Sequence, residues 1–220
     1  MTPSTYYSHE RPQMRRYIPR EARRLLDVGC GGGGFAAGLR GEREPAGQRL
    51  EIWGLELDPD AADHAREHLD EVRCGDALEL VDGLPDDHFD CVVMNDILEH
   101  MAEPEALLRA VRRVLAPGGR LVASIPNVRH FPHLYDLVVR GAWEYGDEGI
   151  LDRTHLRFFT RTSIQGMFAR CGYRLLRQDG INPTGAWRWR LFDLLTLGRA
   201  RDMRFLQFAC VAEPGGRERS

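Results

Sequence analysis

The run Leu25-Leu26-Asp27-Val28-Gly29-Cys30-Gly31-Gly32-Gly33-Gly34-Phe35 constrains this chain more than any other stretch. A short segment with the apolar density of a buried strand leads into a glycine-rich turn, and Ala36, Ala37 and Leu39 then open a helical pattern. Glycine admits positive φ and lets a ligand approach the main chain, while the start of the following helix presents unpaired N–H groups. The turn is a ligand cradle.

Two ligands compete for it, because Gly29, Gly31 and Gly34 also satisfy the G-x-G-x-x-G spacing of a dinucleotide fold. Asp27, two positions before the first glycine, separates them. Beside a pyrophosphate its carboxylate would add repulsion of about a kcal/mol or more in a partly dry site; beside an amino-acid ammonium it attracts. The cradle therefore suits a nucleoside joined to an amino acid.

With Asp27, Gly29, Gly31 and Gly33 in this order, the chain resembles the class I S-adenosylmethionine-dependent methyltransferases, whose first motif is an acidic residue followed by G-x-G-x-G. The resemblance implies S-adenosyl-L-methionine as cofactor and methyl transfer as the reaction. It also implies an α/β fold, Rossmann-like, with a seven-stranded mostly parallel sheet, helices on both faces and an antiparallel edge strand. The chain is expected to form a single methyltransferase domain over 1–220, with a cap segment (1–22), a cofactor half (23–127), a substrate segment (128–159) and C-terminal helices and strands (160–214).

The later motifs fall where that layout needs them. Residues 50–58 read as a second strand closed by Pro59, with a helix over 60–69. Glu56 ends that strand about 25 residues past the glycine turn, near the spacing at which an acid binds ribose hydroxyls. The resemblance gives it that contact and places Leu57 beside the adenine. A third strand near 71–75 ends in Gly75-Asp76-Ala77, and the resemblance gives Asp76 the exocyclic amine of adenine. A fourth strand, 91–94, runs into Asn95-Asp96-Ile97-Leu98-Glu99-His100, close to the family's post-strand motif. Asn95 and Asp96 are expected to line the methionine end, and His100 to be a base or to shape its loop. Cys30 and Ala77 complete the cofactor set. Ahead of the first strand, Tyr7 and Arg11 sit in a leading segment that folds over the cofactor in methyltransferases of similar layout, or that only covers the sheet.

Residues 104–115 form an amphipathic helix, with Leu107, Leu108, Val111, Val114 and Leu115 on one stripe, and 120–125 a fifth strand. A helix over 160–171 and strands over 173–178 and 206–212 complete the pattern. Residues 186–197 interleave Trp187, Trp189, Leu191, Phe192, Leu194 and Leu195 with Arg188 and Arg190, which reads as a lid, a sticky outer helix or core packing.

The substrate is expected at 128–159, where rings and titratable groups concentrate. There Gly149-Ile150-Leu151-Asp152-Arg153-Thr154-His155-Leu156-Arg157-Phe158-Phe159 resembles a segment of methyltransferases from bacterial polysaccharide and secondary-metabolite pathways and of MetW-type proteins. His155 is the candidate base, since imidazole titrates near neutrality, with Asp152 to orient it; a structural role in tying the loop is the alternative. His130 and His133, near Asp147, Glu148 and Asp152, were they ligands, would need one helical face, which Pro132 opposes. No third residue has diagnostic spacing, so no metal is expected.

Composition bounds the partners. Residues 1–119 hold 14 Arg and 23 acidic residues, a net −9, and residues 120–220 hold 16 Arg and 10, a net +6. The basic half suits an anionic or carrier-bound substrate, a glycan among them, or a lipid surface, or it is simply a solvated one. No basic-aromatic repeat points to nucleic acid. All 30 basic residues are Arg, which reads as codon bias of a bacterial genome. Five scattered cysteines without a C-x-x-C pair suggest reduced thiols. No integral membrane segment or signal pattern is seen, so the expected location is cytoplasmic. O-methylation of a sugar or small metabolite is the expected reaction. Methylation of nitrogen, of a peptide or of a carrier-bound group, and a non-catalytic MetW-like partner subunit, are the alternatives.

Overall fold

The computed structural model describes residues 10–185 and 187–216. Alternation along the central strands decides how the chain layers. In β1 (Arg24–Val28), Leu26 and Val28 enter one core and Leu25 the other. Side chains alternate across a strand, so a strand apolar on both faces belongs inside a parallel sheet covered by helices. β1 pairs in parallel with β2 (Glu51–Glu56), which pairs with β3 (Glu71–Cys74). On its other side β1 meets β4 (Phe89–Asn95), followed by β5 (Leu115–Pro126). β6 (Tyr173–Pro183) and β7 (Phe205–Pro214) complete a seven-stranded sheet of order β3-β2-β1-β4-β5-β7-β6. β7 is antiparallel to both of its neighbours, one place in from the edge.

Helices cover both faces. α1 (Pro12–Arg15) and α2 (Gly34–Arg43) bury Met14, Phe35, Ala36 and Leu39 against the Leu25 face; α3 (Pro59–Ala65) adds Ala65 there. α4 (Ala77–Val81) and α5 (Pro104–Val114) cover the other face. α5 does so with Leu107, Leu108, Val111 and Val114, as its stripe predicts, but Leu115 already belongs to β5 and pairs with Phe89. β6 runs further than its sequence pattern suggests because β7 stays in register with it as far as Pro183 and Phe205.

Residues 128–159 leave the sheet at the end of β5 and return to the same place. The Val128 N–H donates to the Phe159 carbonyl at 2.9 Å. Asn127, fully buried, donates through Nδ2 to the carbonyls of Asp202 (2.9 Å) and Phe205 (3.0 Å), which holds the exit from β5 against the start of β7. The excursion carries α6 (Phe131–Tyr135) and a π turn (Asp136–Arg140). α7 (Arg161–Arg170) follows, opened by a Thr160–Ser163 capping box. α8 (Trp187–Leu195) lies between β6 and β7 in the chain.

Candidate active site

The carboxyl ends of β1, β2 and β4 meet at the glycine turn. Gly29, Gly31 and Gly33 all have positive φ (71°, 54° and 82°), and a Cβ on Gly29 would overlap the Ile97 side chain. The turn is held from below by the Gly29 N–H donating to the Leu55 carbonyl at 2.7 Å. From the side, the Gly31 N–H donates to Glu56 Oε2 at 2.7 Å, while Glu56 Oε1 accepts from the Asp58 N–H at 3.0 Å. Cys30 faces inward against Gly54, and burial pushes its thiol pKa up, so its main chain rather than its sulfur belongs to the cradle.

Asp27 and Asn95 are buried beside this turn, 2% and 7% exposed, and Asp27 Oδ2 and both polar atoms of Asn95 have no hydrogen-bond partner among the described residues. Burial, and then the nearby Glu56, push the Asp27 pKa up to about 7, with Arg11 pulling the other way. Buried polar groups without partners are rare in native proteins. A ligand with an ammonium and a carboxylate at one end would satisfy both residues, and Leu57, 70% exposed, offers apolar surface to a flat ring. These residues therefore fit an adenosyl amino acid.

A second cluster lies past the end of β4, on the turn Leu98–His100. The Glu99 carbonyl accepts from the N–H groups of Leu156 (2.7 Å) and Arg157 (3.0 Å), which docks the returning end of the 128–159 excursion on this turn. His155 and His100 consequently stack edge to face with ring centroids 4.6 Å apart. Hydrogen bonds assign both tautomers. His155 Nδ1 lies 2.9 Å from the Ile150 carbonyl, so it must donate. The Thr154 hydroxyl donates to Asp152 Oδ1 at 2.6 Å and so accepts from His100 Nδ1 at 3.0 Å. In the neutral form each ring therefore carries its lone pair on Nε2, which takes part in no hydrogen bond among the described residues.

Glu99 is 1% exposed with neither carboxylate oxygen hydrogen-bonded among the described residues, and burial followed by Asp96 drives its pKa well above the usual carboxylate range. Burial and then His155 lower the pKa of His100. Glu99, His100 and His155 each offer a ligand atom within 4.8 Å of the others, the one group of metal-binding geometry among the described residues. His130 and His133 do not assemble with Asp147, Glu148 and Asp152 in this way. They line, with Arg140, Glu144 and Ile150, a cavity of about 550 Å³. A larger concavity, about 690 Å³, lies at the opposite edge of the sheet around Arg24, Glu51 and Glu71, away from the carboxyl ends of the strands.

A methyltransferase domain model matches residues 5–178, well over half of the chain. This chain belongs to the methyltransferase family. It is an enzyme, and S-adenosylmethionine is its methyl donor. A curated relative, the ubiquinone biosynthesis O-methyltransferase of Alkalilimnicola ehrlichii, is 34% identical over 183 residues, 79% of this chain and 70% of that one. A crystal structure of a SAM-dependent methyltransferase from Archaeoglobus fulgidus superposes with a TM-score of 0.63 at 18% identity, covering 96% of this chain and 94% of that one. The [4+2]-cyclase SpnF shares the fold too (TM-score 0.58, 22% identity, 88% of this chain and 76% of that one), so the sheet alone does not fix the chemistry.

Several of the expected site residues of this methyltransferase make contacts within the protein that the sequence does not show. The partner that orients His155 is the Ile150 carbonyl, and Asp152 instead binds Thr154 through the hydroxyl and, at 2.8 Å, the N–H. His100 is turned to Thr154 and His155 rather than to the glycine turn. Asp96 is committed within the protein, to Arg11, to the Ser124 hydroxyl (2.6 Å) and to Gln207 Nε2 (2.9 Å). Asp76 Oδ1 caps α4 by accepting from the N–H groups of Leu78 (2.8 Å) and Glu79 (3.3 Å); the adjoining Ala77 opens that helix. Tyr7 lies outside the described residues. Glu99 and Thr154 are the site residues the sequence did not single out. A Glu directly before His100 was the available signal for the first; nothing local marks the second.

Proposed function

We propose that this methyltransferase methylates a hydroxyl oxygen on a ring-bearing, partly apolar acceptor, with His155 as the general base. The observation that carries this reading is the His155 tautomer. With Nδ1–H held by the Ile150 carbonyl, Nε2 is left to take a proton, and Ile150 itself lines the 550 Å³ cavity of His130 and His133. A cavity of that size suits a small-molecule acceptor, and Pro132, Ile150, Leu151 and Leu206 make its wall partly apolar. The relatives named for ubiquinone biosynthesis support an oxygen acceptor of this kind. The sugar acceptor and glycan pathway expected from the sequence have no counterpart among those names.

S-adenosylmethionine, when bound, supplies a methyl group on a sulfonium that is already a good leaving group. Asp27 and Asn95 would hold its amino-acid end, Glu56 the ribose, and Leu57 with Asp76 the adenine. Exchange of the Gly31 N–H for ribose hydroxyls at Glu56 would loosen the turn as the donor enters. Asp27 favours the ammonium only when ionised. His155 accepts the hydroxyl proton as the oxygen attacks, which contributes a rate factor of roughly 10² to 10⁴. Glu99 lies beside the His pair, its ligand atom within 4.8 Å of theirs, and burial favours its neutral form there.

Calorimetric titration of S-adenosylmethionine into wild type, Asp27→Ala and Glu56→Ala tests the donor site, with binding expected only in wild type. Transfer to a catechol-type acceptor tests the base: His155→Ala should bind the donor normally yet turn over roughly 10² to 10⁴ times more slowly. Equal turnover would remove His155 from the chemistry. The 4.8 Å grouping of Glu99, His100 and His155 favours one second reading, a divalent cation that activates the acceptor oxygen. Activity that disappears with a chelator and returns with added cation would select it.

A further inference from the structure

Outside the site, the strongest unexplained feature is the outer face of α8. Its inner face is packed: Trp189 Nε1 donates to the Ala200 carbonyl at 3.2 Å, and the Phe192 ring lies 5.7 Å from that of Phe131 on α6. The outer face carries Trp187, Leu191, Leu194 and Leu195, which are 69%, 51%, 73% and 73% exposed. These positions follow i, i+4, i+7 and i+8, one continuous helical stripe. At 100° per residue, Arg188 falls on one border of the stripe and Arg190 on the other. Leu197, just past the end of the helix, is exposed as well. The Val138–Val139 turn belongs to the same subassembly, since α6 is tied to α8 through Phe131–Phe192 and through Arg188, whose Nη1 donates to the Tyr135 hydroxyl at 3.3 Å.

Charge on this face has one sign. Residues 187–204 hold five Arg and two Asp. Asp202 is paired with Arg129 at 2.8 Å, and Asp193 turns a carboxylate oxygen into the interior. Arg190 and Arg201 enter no ion pair among the described residues. An apolar stripe bordered by arginines, on a helix whose other side is anchored, has the form of an element that lies in the interface of an anionic bilayer. A second copy of the chain suits it less, because a two-fold contact would bring the Arg188 and Arg190 borders of both copies together. Among the described residues no helix is long and apolar enough to cross a membrane, so contact would be with one leaflet.

We propose that the outer face of α8 docks on the surface of an anionic bilayer, making this a peripheral membrane methyltransferase. The inference stands apart from the identity of the acceptor. Flotation of the full chain with vesicles of phosphatidylcholine alone, and of phosphatidylcholine mixed with phosphatidylglycerol, tests it. Wild type should float with the mixed vesicles, less with the neutral ones, and less again at high salt. Leu194→Glu/Leu195→Glu should abolish flotation, and Arg188→Glu/Arg190→Glu should weaken partitioning roughly tenfold or more. Circular dichroism and donor binding should match wild type in both variants, since neither pair touches the glycine turn. Folded wild type that stays in solution with both vesicle types overturns the proposal, as do variants that float like wild type. A dimer that the leucine variant dissolves, without any flotation, overturns it in favour of a second copy.

Discussion

Asp27 shows how one buried carboxylate serves binding at the expense of the empty fold. Its pKa of about 7 lies above the ordinary carboxylate range it has in the unfolded chain, so the folded state holds the proton more tightly. By linkage, what Asp27 contributes to stability is complete below the unfolded value and is lost as pH rises toward about 7. Asp27→Asn should therefore raise the thermal midpoint of the donor-free protein at pH 8, and the difference should shrink as pH is lowered toward 5. The same substitution should weaken S-adenosylmethionine binding at every pH, because the amide cannot pair with the ammonium as a charge. Thermal melts and titrations on the two proteins across that range check both halves. A variant less stable than wild type at pH 8 would mean that Asp27 is satisfied within the protein after all.

At the scale of elements, the excursion over 128–159 depends on the staple at its base. Asn127→Ala removes both donations to the β7 side and the acceptance from the Arg129 N–H, leaving partly buried carbonyls without that donor. A cost of about 2–3 kcal/mol is expected, with a raised KM for the acceptor and unchanged affinity for the donor, measured by denaturant melts, kinetics and calorimetry. If donor affinity fell in parallel, the excursion would be coupled to the glycine turn. The difference in legibility between these two elements has a physical origin. The glycine turn could be read because positive φ selects glycine and a buried strand selects apolar residues on both faces, so backbone geometry left its mark on residue type. β6 beyond Gln178 could not, since Asp179, Gly180, Ile181 and Asn182 become strand only by pairing with β7. The Ile150 carbonyl that sets the His155 tautomer was equally hidden: every residue has a carbonyl, and only the fold brings this one to the ring. Asp152 looked like the orienting group because it is charged and near in sequence, yet the Thr154 hydroxyl and N–H lie closer.

On the scale of the whole molecule, the candidate site joins parts of the chain that fold at great sequence separation. Arg11 reaches Asp96, Asp96 takes Gln207 of β7, and Gln207 Oε1 accepts from Asn182 Nδ2 of β6 at 2.8 Å, so one polar chain runs from the cap before β1 to the far edge of the sheet. The residues proposed to hold the donor come from the ends of β1, β2, β3 and β4, four neighbours that exist as a site only in the folded sheet. A ligand held there binds the native state and not the unfolded chain. At about a hundred times its Kd it should add ~2.7 kcal/mol to global stability, which for a chain of this size raises the thermal midpoint by roughly 5–10 °C. Asp27→Ala and Glu56→Ala should lose most of that shift. His155→Ala should keep all of it, because His155 acts on the acceptor; Leu194→Glu/Leu195→Glu should keep it too, because both leucines lie on the exposed face of α8. A His155→Ala protein that folds but no longer responds to S-adenosylmethionine would place His155 in the donor pocket and return the base to His100.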